Sequence, residues 1–154
     1  MYRSLSGLPR DIVLLACRIL LAYIIVMHCW KKLDAGLFET AGTFSRFGIP
    51  LAIVAASFTI VVELVVTLSL LLGLRIVVPA SLMTFVMCGA IVFVHGKNGL
   101  FMAQNGWALV GVIICGLLAM MASGPGRFSL DRVLDRAIER RTEQTSVMRR
   151  PVAV

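Results

Sequence analysis

Two charged residues lie deep inside apolar stretches of this sequence. Glu63 stands in the middle of the stretch 51–74, and Arg18 interrupts the first apolar stretch. A charge at such a depth in hydrocarbon costs about 2.5–3.5 kcal/mol on insertion scales, so each should face the protein interior and have a partner. The two residues differ in depth by roughly 6 Å, which an arginine side chain can span. We therefore expect them to pair, either as a structural ion pair or as a polar site for a proton, a quinone head group or a small anion.

Small and hydroxylated side chains share one helical stripe with Glu63. At about 100° per residue this stripe contains Ala52, Ala56, Thr59 and Thr67. Such residues allow a second helix to approach closely, whereas lipid-facing residues need only be apolar. The predicted intramembrane polar site therefore consists of Arg18, Glu63, Thr59 and Thr67.

The two histidines form a second candidate site. His28 and His95 stand near the outer ends of their helices at similar depth, and Lys32 follows His28 by one turn. Paired histidines can ligate haem or a metal, or hydrogen-bond a quinone carbonyl. No ligand-spacing motif accompanies them, so no metal is predicted and haem is disfavoured. We expect His28, Lys32 and His95 to line an outer mouth, as quinone contacts or as plain polar anchors.

The four cysteines all lie in apolar stretches and show no CxxC spacing, so they do not indicate a secreted disulfide framework. Cys88 and Cys115 are expected at matching depth on the third and fourth helices, both facing inward. They are a candidate redox pair, although two packed thiols are the favoured interpretation because a thiol in hydrocarbon reacts poorly. A small-residue stripe on helix four is interpreted as a close-packing face, inside the bundle or in a homo-oligomer; it contains Ala108, Gly111, Cys115, Ala119 and Ala122.

The composition is that of a membrane protein. Of 154 residues, 59% are hydrophobic and 15% are charged, with a mean hydropathy of +0.94. Soluble domains have about 45–50% apolar and about 25% charged residues. The net charge of +7 comes mostly from arginines after the last apolar stretch, which indicates a membrane-surface and topology signal rather than nucleic-acid binding. No nucleotide-binding loop, Ser-His-Asp set or carboxylate pair occurs, which argues against conventional hydrolases and kinases.

The apolar stretches predict an all-α integral membrane four-helix bundle over residues 1–126. Its helices are expected at about 12–30, 51–74, 76–95 and 107–123. Residues 127–141 have one apolar face and a basic polar face, which predicts an interfacial helix that binds anionic lipid. A helix capping the bundle without lipid contact is an equal alternative. Residues 142–154 are expected to be disordered.

Basic residues predict the orientation. Ten of them, including seven arginines of the tail, would share a side with both termini. The other side would hold four, namely Lys31, Lys32, Arg46 and Lys97. The bias places both termini in the cytoplasm.

Several sequence pieces, in this order, resemble the DoxX family of small bacterial membrane proteins. They are CRILLAYIIVMHCWKKL, FGIP, VVELVVTLSLLLGLR, the region around His95, and GPGRFSLD, within about residues 12–131. The resemblance implies a four-helix bundle in the bacterial plasma (inner) membrane. It also implies a redox setting, since related DoxD proteins belong to a thiosulfate:quinone oxidoreductase. It also suggests superoxide dismutase or a thiosulfate sulfurtransferase as partners, as for mycobacterial DoxX-like proteins. Arg18, Lys32 and Glu63 match the family pattern.

The chain departs from the family pattern at the start of helix four. Many family members have an acidic residue there, whereas this sequence reads Asn105–Gly106–Trp107. That difference argues against a proton-handling site at the outer mouth.

The leading hypothesis is a membrane subunit that supports quinone- or thiol-linked redox chemistry and oxidative-stress defence. Catalysis would be carried by the chain or by partner proteins. The alternative is a non-enzymatic scaffold or assembly factor whose buried Arg–Glu pair is structural.

Overall fold

The fold is all-helical over the residues that the structure, a computed structural model, describes, namely 7–148. The helices within that range are α1 (Leu8–Ala35), α2 (Leu37–Arg46), α3 (Ala52–Leu72), α4 (Val77–Ala90), α5 (Ala108–Ser123) and α6 (Leu130–Met148). The helix of α4 continues through a π-helical turn, Ile91–His95, and a 3-10 turn, Gly96–Asn98.

Three of these helices are long and apolar enough to cross a membrane. They are α1, α3 and the continuous helix Val77–Asn98. The apolar helix α5 is shorter, with 16 residues, or about 24 Å against a hydrocarbon core of about 30 Å. The predicted membrane bundle is thus confirmed as a helical fold with three to four apolar helices.

The bundle core lies between α1, α3, α4 and α5. α3 is central, since it packs against α1, α2 and α4, while α5 packs against α1 and α4. The core side chains include Leu21, Ile25, Val66, Leu70, Met83 and Leu117. Large apolar side chains such as Leu68, Phe85 and Val112 are exposed on the outer faces, as expected for surfaces that meet lipid rather than water.

Three helices, α1, α2 and α6, differ from the sequence-based prediction. The segment between the predicted helices 12–30 and 51–74 is largely helical, because α1 runs on to Ala35 and α2 follows after Gly36, whose φ of 84° turns the chain. At the other end, α6 continues to Met148, beyond its predicted end at Arg141. The predicted disordered tail therefore overlaps this helix at 142–148, and its remainder lies outside the described residues.

One end of the bundle is tied together by polar contacts between distant segments. Arg10 at the start of α1 donates to the Ser123 carbonyl at the end of α5, at 3.0 Å. The Arg75 amide, in the turn between α3 and α4, donates to Asp131 in α6 at 2.9 Å. We call this the Arg18 end, because Arg18 lies within it. The opposite end, formed by α2 and the loop 99–107, is called the cavity end.

Candidate functional site

The buried carboxylate of Glu63 is paired with Lys32. The Lys32 Nζ donates to Oε1 and Oε2 of Glu63 at 2.8 and 3.0 Å, and it also donates to the His28 carbonyl at 3.3 Å. Glu63 is 1% exposed, whereas the side chain of Lys32 is 21% exposed. Lys32 therefore reaches inward from the C-terminal part of α1 and neutralises the charge in the middle of α3.

The expected ion pair between Arg18 and Glu63 is not formed, so this prediction is wrong. Arg18 lies beside Leu70 of α3, seven residues beyond Glu63, which corresponds to about 10 Å along the helix. Lys32 stands on the same face of α1 as Arg18, because fourteen residues make nearly four turns. Since α1 extends past Lys32 to Ala35, this second cation comes within reach of Glu63.

Backbone carbonyls satisfy Arg18, which is 1% exposed. Its Nε and Nη2 donate to the carbonyls of Leu70 and Leu71, at 2.7 and 3.0 Å. Its Nη1 donates to the carbonyls of Pro125 and Phe128, at 2.9 and 2.7 Å. The guanidinium thus caps the last turn of α3, where free carbonyls attract a cation, and joins it to the connection between α5 and α6. This arrangement is structural.

A cavity of about 510 Å³ opens beside the Lys32–Glu63 pair. Its walls come from α1, α3, α4 with its π-helical turn, α5 and the segments 44–50 and 102–106. Most lining side chains are apolar, among them Ile25, Phe44, Phe47, Phe58, Met83 and Val110. The polar ones are His28, Lys32, Thr59, Glu63, His95 and Asn105. A mostly apolar cavity with a few convergent polar groups is the usual form of a small-molecule site.

The structure brings together five of the residues singled out from the sequence. Glu63 and Thr59, from the predicted intramembrane site, line the same cavity as His28, Lys32 and His95, from the predicted outer mouth. The two predicted sites are therefore one. The predicted inward stripe of α3 is confirmed for Ala56, Thr59, Glu63 and Thr67, which are all buried, whereas Ala52 at the start of the helix is half-buried.

Four other predicted residues lie away from the cavity. Arg18 bonds to carbonyls at the end of α3 and in the connection between α5 and α6. The buried Thr67 hydroxyl has no hydrogen-bond partner within the described part of the chain. Cys88 and Cys115 are both exposed and unbridged, so the prediction that they face inward is wrong. The buried face of α5 consists instead of Val110, Ile113, Leu117 and Met120, because these larger side chains fill the interior, and most of the small-residue stripe lies outside.

His95 is held by a contact that sequence reasoning missed. Its Nδ1 lies 2.8 Å from the carbonyl oxygen of Asn105, which also accepts from the Asn98 side chain at 3.3 Å. Asn105 presents this oxygen from a left-handed conformation with φ of 59°, which asparagine tolerates better than most residues. The only sequence signal was the Gly- and Asn-rich composition of the loop 96–106. Among the described residues, no group of three or more His, Cys, Asp or Glu side chains could hold a metal.

Comparison with known proteins agrees with this architecture. The family model described as DoxX matches residues 13–96, more than half of the chain. An uncharacterized membrane protein of Mycobacterium tuberculosis is 35% identical over 105 residues, which cover 62% of this chain and 64% of that protein. The chain thus spans less than two thirds of the length of this curated relative. No solved structure matches. This chain belongs to the DoxX family of membrane proteins.

Proposed function

We propose that this chain is a membrane subunit that binds a quinone in the cavity beside Lys32 and Glu63 and so supports quinone-linked redox chemistry in oxidative-stress defence. The observation that carries the proposal is the convergence of Lys32, Glu63, His28 and His95 on one largely apolar cavity. A membrane quinone matches both the polar side chains and the apolar walls, since it has a ring with two oxygens and an apolar tail.

The size and walls of the cavity fit this ligand class. About 510 Å³ falls within the range of about 300–1,000 Å³ typical of small-molecule sites. The lining side chains of Phe58, Phe85 and Phe93 are also exposed on the outside of α3 and the α4 helix. A ligand could therefore enter sideways from the lipid between these two helices.

When bound, a quinone would supply two-electron redox chemistry. The residues of this chain would hold the head group in the polar part of the cavity and exclude water with the phenylalanines. The positions of Cys88 and Cys115 do not favour a thiol pair, so we base the proposal on the quinone. Catalysis is assigned to partner proteins, for which family resemblance suggests a superoxide dismutase or a sulfurtransferase.

A binding experiment with the full chain in nanodiscs tests the proposal. Short-chain ubiquinone and menaquinone analogues are titrated against the wild type and against Gly89→Leu. Gly89 lines the cavity, and a Cβ there meets nothing within 4 Å, so a leucine should occupy ligand space without a backbone clash. We expect Gly89→Leu to weaken quinone binding at least about tenfold.

The matched control is Gly42→Leu in α2. Its Cβ also meets nothing within 4 Å, but Gly42 does not line the cavity. This variant should bind quinone as the wild type does. Absence of quinone binding by the wild type, or equal binding by both variants, would overturn the proposal.

A non-enzymatic scaffold is the second candidate. It is favoured by the way in which Arg18 ties α1, α3 and the connection between α5 and α6 together through four backbone contacts. For a scaffold, the chain would co-purify with stoichiometric protein partners, and Gly89→Leu would leave its biological activity intact. Loss of oxidant resistance in Gly89→Leu with partners still bound would contradict it.

We also propose that the chain lies in the plasma membrane with both termini in the cytoplasm. The ten-to-four bias of basic residues supports this orientation. In a cysteine-free background, Arg132→Cys should react with a membrane-impermeant thiol reagent only after the cells are opened. Lys97→Cys should react in intact cells. The reverse pattern would invert the orientation.

A further inference from the structure

We infer that the cavity prefers a ligand that presents a hydroxyl group, and therefore the reduced quinol over the oxidised quinone, with Nε2 of His95 as the acceptor. This inference rests on the proposed function and specifies which form of the ligand the site holds. It follows from hydrogen-bonding roles that the backbone imposes on the side chains around the cavity.

The tautomer of His95 is determined by its neighbour. A carbonyl oxygen can only accept a hydrogen bond, so the 2.8 Å contact between His95 Nδ1 and the Asn105 carbonyl requires the hydrogen on Nδ1. In a neutral imidazole the lone pair then belongs to Nε2. Among residues 7–139, whose side chains the structure describes, no hydrogen bond engages Nε2, and the ring lines the cavity. His95 therefore offers a free acceptor to a ligand.

The backbone on both sides of this contact leaves little freedom for a different arrangement. The amide of Gly96 donates to the Ile91 carbonyl in the π-helical turn that ends in His95. A Cβ on Gly96 would lie 2.7 Å from that same oxygen. Gly106 follows Asn105, and a Cβ there would lie 2.5 Å from the Gly99 carbonyl. Both residues must be glycine for His95 and Asn105 to meet.

The strongest donor of the cavity is already engaged. The Lys32 ammonium has three hydrogens, and it faces three acceptors, namely both Glu63 oxygens and the His28 carbonyl. A quinone carbonyl would have to displace one of them. The remaining polar side chains are those of Thr59, His28 and Asn105. Each can donate or accept a hydrogen bond, so they do not discriminate between quinone and quinol. A quinol hydroxyl finds an unused acceptor, whereas a quinone carbonyl finds no unused cationic donor.

The test compares the two redox forms of one ligand. A short-chain ubiquinone and its quinol, kept reduced under anaerobic conditions, are each titrated against the full chain in nanodiscs. We expect the quinol to bind about fivefold to tenfold more tightly, as one additional hydrogen bond provides. In His95→Phe, which keeps a ring but removes the acceptor, the quinol should lose more affinity than the quinone, so the ratio of the two affinities should approach one.

Three outcomes would overturn the inference. Equal affinity for quinone and quinol in the wild type contradicts the preference while leaving the proposed function in place. An unchanged ratio in His95→Phe assigns the preference to another residue. If neither form binds, the proposed function fails together with the inference.

A measurement on the unmutated chain protects the test against misfolding of the variant. The chain has only two histidines, so ¹⁵N NMR of histidine-labelled protein gives two sets of ring signals, and His28→Gln assigns them. We expect a protonated Nδ1 and an unprotonated Nε2 for His95. Addition of quinol, but not of quinone, should shift the Nε2 signal. A proton on Nε2 of His95 would overturn the inference directly.

Discussion

The ammonium of Lys32 lies 2.8 and 3.0 Å from the two carboxylate oxygens of Glu63 and joins the C-terminal part of α1 to the middle of α3. Glu63 is 1% exposed, so the lysine provides the neutralisation that a carboxylate at this depth requires. Both residues also line the cavity. The pair therefore supports the helix packing and forms part of the polar wall of the candidate site.

Removing one partner of this pair should destabilise the fold more than removing both. Lys32→Leu leaves a buried, unpaired carboxylate, and such changes cost about 3–5 kcal/mol. Lys32→Leu combined with Glu63→Leu should recover much of that loss, because apolar side chains need no partner. The free energy of unfolding in mixed detergent micelles measures both effects.

The control cycle combines Arg18→Leu with Glu63→Leu. Arg18 bonds to carbonyls rather than to Glu63, so these two effects should add to within about 0.5 kcal/mol. A coupling energy for Arg18 and Glu63 as large as that for Lys32 and Glu63 would contradict the pairing described above.

Arg18→Lys should destabilise the bundle although it keeps the positive charge. Arg18 spreads its donors over four carbonyls in two segments, which a single ammonium cannot span. Each lost bond to a charged donor is worth about 1.5–3 kcal/mol, so the loss should exceed about 2 kcal/mol in chemical unfolding. Arg46→Lys on the exposed end of α2 is the control and should change stability by less than about 0.5 kcal/mol. Equal changes in stability for Arg18→Lys and Arg46→Lys would show that the carbonyl contacts of Arg18 do not hold the bundle together.

Gly73→Ala should be more damaging than its backbone conformation alone requires. Gly73 ends α3 with φ of 66°, and a Cβ there would lie 2.5 Å from Nη2 of Arg18 and 2.7 Å from Cβ of Ser129. Gly48 has φ of 76° but meets nothing within 4 Å, so Gly48→Ala should show only the left-handed penalty of about 1–2 kcal/mol. The difference between the two losses in unfolding free energy measures the crowding against Arg18. Equal losses would show that the Arg18 end adapts freely.

We predict that α6 binds anionic lipid. Ser129 caps this helix by accepting from the Arg132 amide at 3.3 Å, and the Asp131 amide donates to the Gly73 carbonyl at 3.3 Å. The helix start is thus fixed at the Arg18 end while Val133 and Leu134 stay exposed. Hydrogen exchange of α6 should be slower in nanodiscs with phosphatidylglycerol than in phosphatidylcholine alone.

The variant that tests this lipid contact is Arg132→Gln combined with Arg136→Gln. Each arginine near an anionic surface contributes about 1 kcal/mol to membrane binding. In this variant the difference in α6 exchange rate between the two lipids should therefore shrink. In the wild type this difference should decrease with added salt. Arg46→Gln serves as the control on α2. Equal exchange rates in both lipids would favour the alternative, in which α6 caps the bundle without lipid contact.

Much of the architecture follows from the sequence alone. Apolar stretches of sufficient length can satisfy their backbone groups in lipid only as helices, so the four apolar helices were predictable from local composition. The stripe with Glu63 was predictable as well, because helical periodicity depends only on spacing. These features require no knowledge of which helix lies beside which.

Partner choice was decided by the tertiary structure. Arg18 and Lys32 stand on the same face of α1. The sequence favoured Arg18 as the partner of Glu63, whereas Lys32 forms the pair. A depth estimated from the ends of the apolar stretches does not show how far α1 continues or how the helices are staggered. The inward face of α5 followed side-chain volume rather than the small-residue stripe. The tautomer of His95 depends on the carbonyl of Asn105, ten residues later. Such contacts depend on register and packing between helices, which the period of a single helix does not encode.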